Sequence, residues 1–227
     1  QGMMNMYEGG PRLTGSQGHQ QFLDTVESDL TALGFQMQRD EMHFKRWDAT
    51  NFSLLIHAEG GDVRVPVAYP YVRSGLTLPA GVRAPLSTNA LGVAPRIYVT
   101  TGRMTPLGPI GCSAKSVATV CCITNEPDVQ LSGSYQPFTP GIPSHQIPML
   151  MVGSDKCAAV TKAAKMNTDA TLVLAGTEAN DTTAHVWGLL PGQTDEVVLM
   201  GIHSDGQNAV EENGIPSLVE MAKYLAA

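Results

Sequence analysis

The sequence predicts an α/β fold, in which a mixed, largely parallel sheet with flanking helices is interrupted by a β-rich module. The apolar run Val-Val-Leu-Met at 197–200 is typical of a strand that is buried on both faces of a parallel sheet. Apolar residues also recur at helical spacing near both ends of the chain. Over residues 66–150, prolines and glycines separate short apolar runs, which is typical of a β-rich module.

The first periodic segment predicts a helix over residues 17–33. Ser16 is placed to cap its first turn and Gly34 to end it, because these residue types favour the two ends of a helix. Farther along, runs at 35–47 and 51–60 alternate in hydrophobicity and predict two strands, the second closed by a Gly-Gly turn. The apolar residues of the helix are Phe22, Val26, Leu30 and Leu33.

The second half of the chain predicts two more helices and further strands. A helix fits residues 155–165, with Ser154 as its cap, and strands fit 170–176 and 183–192. After the apolar run described above, an amphipathic helix follows with Pro216 in its first turn. The apolar positions of this last helix are Ile215, Leu218, Val219, Ala222 and Leu225.

Charge and hydropathy restrict the partners of the protein. The net charge is −7, and the lysines and arginines are scattered rather than gathered into the basic stripe that a phosphate backbone requires. We therefore expect no nucleic-acid partner. No apolar run approaches the roughly 20 residues that a membrane-spanning helix needs, so we expect no membrane span. The sequence starts at Gln1 without a signal segment, and we interpret this start as processed or trimmed.

The cysteines and glycosylation patterns favour an exported protein. None of the four cysteines stands in a Cys-x-x-Cys pair, which argues against a structural zinc knot and leaves one or two disulfides open. Acceptor patterns for N-glycosylation begin at Asn51 and Asn180. Because disulfides and glycans both belong to the oxidising export route, we predict a secreted, extracellular protein.

A histidine and several carboxylates follow the apolar run, where sites assemble in open α/β sheets. His203 can bind a metal ion while Asp205 orients its ring through a hydrogen bond. A polar loop with an ordinary hydrogen-bonded histidine is the other interpretation. Glu212 could bridge two zinc ions roughly 3.5 to 4 Å apart. Together with Glu211, it could instead complement the dipole of the helix that follows.

The runs EVVLMGIHSDG and NAVEENGIPSLVEMAKYLA resemble the co-catalytic di-zinc peptidase family, which includes secreted aminopeptidases and glutamate carboxypeptidases. The resemblance implies that His203 is a ligand of the first of two zinc ions and that Asp205 is the catalytic residue orienting its ring. Glu212 stands where the family has its metal-bridging aspartate, and Glu211 is the fallback for that role. A glutamate departs from the family pattern, because its extra methylene moves the carboxyl group outward by more than about 1 Å.

The resemblance extends over most of the chain. RLTGSQGHQQFLDTVESDLTALGF is similar to the family's opening Arg-x-x-Gly-Ser-x-x-His loop and first helix. SHQIPMLMVGSDKCAAVTKAAK is similar to the protease-associated domain that many members carry as an insert. We therefore predict an N-terminal part of the peptidase domain at 1–65, a protease-associated-like β-rich insert at 66–183, and the start of the catalytic zinc-peptidase domain at 184–227.

No residues of the chain match the family's catalytic glutamate pair, its third carboxylate ligand or its last histidine ligand. The resemblance implies a zinc-dependent exopeptidase of aminopeptidase or carboxypeptidase type, which acts on peptide or protein substrates. We expect the remaining part of its catalytic domain beyond Ala227 and expect this chain alone to be inactive. A non-catalytic, peptidase-like binding or receptor ectodomain is the alternative. The histidines interpreted as structural are His19, His43, His57, His145 and His185.

Overall fold

The computed structural model describes most of the chain as helices and strands connected by short loops. The described residues are 12–66, 69–71, 73–89, 95–105, 108–113, 115–125, 146–204 and 214–226. The helices are α1 (Gln17–Ala32), α2 (Ser154–Lys165) and α3 (Gly214–Ala226). The strands are β1 (Gln36–Ala58), β2 (Gly61–Val65), β3 (Tyr69–Pro70), β4 (Val82–Ser87), β5 (Ile97–Thr105), β6 (Gly108–Ile110), β7 (Ala118–Ile123), β8 (Met149–Val152) and β9 (Asp169–Leu189). Within these ranges, no helix is long and apolar enough to cross a membrane.

The chain divides into two compact units, and both boundaries fall inside long strands. The first unit extends to Arg46 and resumes at Ala179, and the second unit is Trp47–Glu178. β1 and β9 therefore contribute residues to both units. The domain assignments made from the sequence, including the protease-associated-like insert, stay predictions.

The strands form a mixed sheet in the order β2-β1-β9-β4-β5-β7-β8-β3, and β6 pairs with β5. Among the described strands, three neighbouring pairs are parallel, namely β4 with β5, β5 with β7, and β7 with β8. Four other pairs are antiparallel, namely β2 with β1, β9 with β4, β3 with β8, and β6 with β5. α2 packs against three of the parallel strands. The predicted α/β fold with a mixed sheet and flanking helices is confirmed. The parallel strands lie in the segment that the sequence indicated only as β-rich.

β7 and β8 form the centre of the core, since every residue of both strands is buried. Such uninterrupted burial is expected where a parallel sheet is covered on both faces. Val160 and Ala164 of α2 pack on one face, beside Val152, while Met149 and Met151 belong to a separate cluster. Full burial of one valine such as Val160 stabilises the fold by roughly 1.5–3 kcal/mol, so these contacts hold α2 on the sheet.

The helix predictions agree with the structure except at one cap. α1 begins after Ser16, whose Oγ accepts the His19 amide, and Gly34 follows its end with a φ of 91°. α3 is present where the last amphipathic helix was predicted. The cap predicted for α2 was wrong, because Ser154 is already helical and the N-cap residue is Gly153. A glycine has no side chain with which to accept a first-turn amide.

Two pairs of predicted strands are each one continuous strand. The two strands predicted within 35–60 are β1, and the two predicted within 170–192 are β9. The polar residues between the predicted pieces remain extended because the two strands pair with each other. Thr50 Oγ1, for example, donates a hydrogen bond to the carbonyl of Ala175 over 3.4 Å. Pairing of this kind overrides the weak β propensity of a polar stretch.

The prediction of a buried parallel strand at 197–200 was wrong. These residues have no regular secondary structure, and Val197, Val198 and Leu199 are 79%, 83% and 92% exposed. A strand needs neighbouring strands to satisfy its backbone hydrogen bonds. None of the strands in the described part of the chain pairs with this segment. An apolar run indicates a buried strand only where such neighbours are available.

The structure pairs Cys112 with Cys121 in a disulfide, with their Cα atoms 5.6 Å apart. Cys122 and Cys157 are free thiols. The sequence left the pairing open, and the described residues contain this single disulfide. The bond ties the second half of β7 to the loop that precedes the strand.

Candidate functional site

The segment that begins at Arg12 forms a tight turn at the start of α1. Ser16 Oγ accepts the backbone N–H of His19 over 3.1 Å, and the Gly15 amide donates to His19 Nδ1 over 3.3 Å. Gly15 has a φ of +76°, and a side chain there would lie 2.6 Å from the ring of Phe44. Only glycine fits both the backbone conformation and the available space.

Two arginines hold this turn in place. The Arg12 guanidinium lies 4.3 Å from the ring centroid of Phe22, and only 5% of the Arg12 surface is exposed. Arg46 donates to the carbonyl of Gly15 and to the carboxylate of Asp181, each over 3.1 Å. These contacts connect the turn to α1, β1 and β9, so the start of α1 is fixed from several sides within the first unit.

His19 is buried, with 2% exposure, and both of its ring nitrogens are hydrogen-bonded. Nδ1 accepts the Gly15 amide and lies 3.5 Å from Thr183 Oγ1. Because a backbone N–H can only donate, Nδ1 carries no proton, and the neutral ring has its proton on Nε2. Nε2 therefore donates to Ser204 Oγ over 2.8 Å. His19 thus anchors the loop at Ser204.

His203 directly precedes this anchor, and its side chain is exposed. The imidazole of an exposed histidine in a tethered loop can coordinate a zinc ion through a ring nitrogen. Asp205, Glu211 and Glu212 lie outside the described residues. Where the structure describes the chain, no group of three or more His, Cys, Asp or Glu residues could hold a metal ion. His203 therefore fits zinc as a single ligand, and the described residues do not complete the site.

The sequence indicated no role for His19 in this site, although it is the residue that anchors the loop. The partners His19 and Ser204 are 185 positions apart, so no local spacing reveals their contact. The available signal was the Arg-x-x-Gly-Ser-x-x-His segment, whose turn places the ring of its histidine inside the first unit.

His57 has a different position, in the second unit. Its Nδ1 lies 2.9 Å from Asp62 Oδ1, and its Nε2 lies 2.9 Å from Thr171 Oγ1. The three residues belong to β1, β2 and β9, so His57 links neighbouring strands of the sheet. Both ring nitrogens of His57 are therefore hydrogen-bonded to neighbouring strands, as expected for a histidine with a structural role. His145 lies outside the described residues.

No family model and no curated protein matches the chain. Solved structures match nearly all of it. One is a peptidase M28 precursor from Shewanella amazonensis SB2B, with a TM-score of 0.68 and 17% identity, covering 99% of this chain and 59% of that one. A zinc aminopeptidase from Bacillus subtilis matches with a TM-score of 0.65 and 15% identity, covering 98% and 55%. An aminopeptidase from Aneurinibacillus sp. strain AM-1 matches with a TM-score of 0.55 and 14% identity, covering 99% and 59%.

The chain spans between 55% and 59% of the length of these structures. At such low sequence identity, the likeness concerns the arrangement of helices and strands. This chain therefore shares its fold with a peptidase M28 precursor and with zinc aminopeptidases.

Proposed function

We propose that the chain is part of a zinc-dependent exopeptidase, of aminopeptidase or carboxypeptidase type, that removes terminal residues from peptides or proteins. The fold shared with a zinc aminopeptidase and a peptidase M28 precursor supports a peptidase. One observation carries the assignment to this particular loop. Buried His19 holds Ser204, while the neighbouring His203 is exposed at the surface of the same loop.

In this proposal His203 is a ligand of the first of two zinc ions, and Asp205 orients its ring. Glu212 would supply the carboxylate that both ions share, with Glu211 as the alternative. When bound, the zinc ions lower the pKa of a water molecule and polarise the carbonyl of the scissile bond. The described residues would contribute by positioning the ligand. His19 restricts the loop through Ser204, so that His203 would lose less conformational entropy when it binds a metal ion.

We also propose that the remaining part of the catalytic domain covers the apolar segment at 197–199. Its side chains are between 79% and 92% exposed, whereas contiguous apolar surface is normally covered by a partner. Contact with apolar side chains of that part would remove this segment from water. The solved structures that share the fold are longer than this chain, which supports the same proposal. In this proposal that part supplies the other zinc ligands, so we expect this chain alone to be inactive.

Two features support a secreted location for the proposed peptidase. The Cys112–Cys121 disulfide suits an oxidising compartment. The acceptor residues Asn51 and Asn180 are both exposed, as glycosylation requires. Mass spectrometry of the protein from its native source tests this point, since an intact Cys112–Cys121 bond supports export and two free thiols at these positions contradict it.

The function is tested with the full-length protein, amino-acid anilides and short peptides. We expect turnover that a zinc chelator abolishes and added zinc restores. His203→Ala should reduce turnover at least about 100-fold, as loss of a metal ligand or its support does. His185→Ala is the matched control, because His185 is also exposed in the first unit, and it should retain turnover within about twofold. Chelator-insensitive turnover, or full activity of His203→Ala, would contradict the proposal.

A further inference from the structure

β7 carries two adjacent cysteines that face opposite sides of the sheet, as successive residues of a strand do. Cys121 is bonded to Cys112 and packs with Met149 and Met151. Cys122 belongs to the other cluster, which includes residues of α2. The existing disulfide therefore leaves Cys122 free on the face that α2 covers.

Cys122 contacts Cys157, which lies near the start of α2. Cys122 Sγ is 3.9 Å from the carbonyl oxygen of Cys157. Cys157 Sγ is 4.0 Å from the carbonyl oxygen of Ile123 and 3.8 Å from that of Val152. These contacts place both sulfur atoms at one junction between the end of β7 and the start of α2.

The two thiols differ in their access to solvent. Cys122 is 0% exposed, whereas Cys157 is partly exposed. The hydrogen bond with Cys122, together with burial, raises the pKa of the Cys157 thiol. At neutral pH the Cys157 thiolate is therefore scarce, and its reactions with disulfides are slow. Because Cys122 is buried and Cys157 is partly exposed, a reagent from solution meets Cys157 before it meets Cys122.

We propose that Cys122 and Cys157 are an oxidation site, which reacts with a small disulfide oxidant such as glutathione disulfide and closes into a second disulfide between β7 and α2. The pair is independent of the proposed zinc site, because it lies in the second unit and shares no residue with it.

The reaction proceeds by thiol–disulfide exchange. The Cys157 thiolate attacks one sulfur of glutathione disulfide, which forms a mixed disulfide and releases one glutathione thiolate. The Cys122 thiolate then attacks Sγ of Cys157 and expels the second glutathione thiolate. The protons lost by the two cysteines are taken up by the two glutathione thiolates. The cysteine pair is oxidised by two electrons, and glutathione disulfide is reduced to two glutathione molecules.

The new bond joins residues 35 positions apart and would fix α2 to the parallel strands. Closing a loop of this length restricts the unfolded chain, and we expect the melting temperature to rise by about 5–10 °C. The bond also removes the two remaining free thiols of the described residues.

The test uses a variant in which Cys112 and Cys121 are both replaced by Ser, incubated with glutathione disulfide at pH 8. Only Cys122 and Cys157 remain in this variant. We expect thiol titration in denaturant to fall from two thiols to none, and non-reducing peptide mapping to join the Cys122 and Cys157 peptides. Cys122→Ser in the same background is the control, and it should stop at a glutathione adduct on Cys157.

The unsubstituted protein provides a second measurement if the double variant does not fold. Its Cys121–Cys122 peptide should become joined to the peptides of both Cys112 and Cys157 after oxidation. The melting temperature should rise in parallel and return to its starting value after Cys122 and Cys157 are selectively reduced. A stable adduct on Cys157, an exchanged Cys121–Cys157 bond, or two persistent thiols would overturn the proposal.

Discussion

His19 Nε2 donates to Ser204 Oγ over 2.8 Å, which joins the start of α1 to the residue that follows His203. The Gly15 amide occupies the other ring nitrogen, so the neutral ring donates only through Nε2. Because His19 is buried, losing this bond would leave a polar group without solvent, at a cost of about 1–3 kcal/mol. The position of His203 therefore depends on a residue near the other end of the sequence.

His19→Asn should separate the two hydrogen bonds of the ring. An asparagine amide oxygen reaches the position of Nδ1 and can accept the Gly15 amide, but no asparagine atom reaches Ser204. We expect the zinc affinity of the full-length protein to fall about 10- to 100-fold, as it does when a group that orients a metal ligand is lost. Equilibrium dialysis against buffered free zinc measures this change.

His19→Gln is the matched control. Its amide nitrogen can take the place of Nε2 and donate to Ser204, while the bond to the Gly15 amide is lost. This variant should lose stability in urea by about 1–2 kcal/mol but keep its zinc affinity within about threefold. Equal zinc affinities for the Asn and Gln variants would show that His19 has only a structural role.

Gly15→Ala should destabilise the first unit by at least about 2 kcal/mol. The alanine would need a positive φ and its Cβ would collide with the ring of Phe44. Gly60→Ala is the control, since nothing lies within 4 Å of a Cβ at Gly60 and its φ is not in the left-handed region. The control should change the free energy of unfolding by less than about 0.5 kcal/mol. Equal urea midpoints for the two variants would contradict the description of this turn.

Val198→Lys should leave the stability of this 227-residue chain unchanged within about 0.5 kcal/mol, because Val198 is 83% exposed. Val120→Lys, in the centre of β7, should unfold the second unit, since Val120 is 0% exposed and a buried unpaired charge is very costly. Thermal unfolding followed by circular dichroism measures both. A large loss of stability in Val198→Lys would mean that the segment is buried after all.

Local sequence patterns predicted the helices well because their signals are local. The spacing of apolar residues, Ser16 as cap and Gly34 after the last turn all act within one helix. The strands were less predictable. β1 and β9 run through polar stretches because each pairs with the other, and this pairing depends on residues more than 100 positions apart, such as Thr50 and Ala175.

In the candidate site, as in the fold, the sequence predicts features that depend on nearby residues better than features that depend on distant ones. A histidine beside an apolar run left two interpretations open, and the resemblance to a peptidase family selected His203. The segment at 197–199 is exposed because its burial depends on strands that the run itself does not supply. His19 could not be assigned to the site, since its contact with Ser204 arises only when the two ends of the first unit come together.

The most direct test of the central claim is the zinc content of the full-length protein at micromolar free zinc, compared with His203→Ala. We predict about two zinc ions per molecule for the unsubstituted protein, a loss of at least one ion in His203→Ala, and no loss in His185→Ala. Circular dichroism should show that all three proteins are folded. An unsubstituted protein that binds no zinc, or a His203→Ala variant that binds as much as the unsubstituted protein, would contradict the assignment.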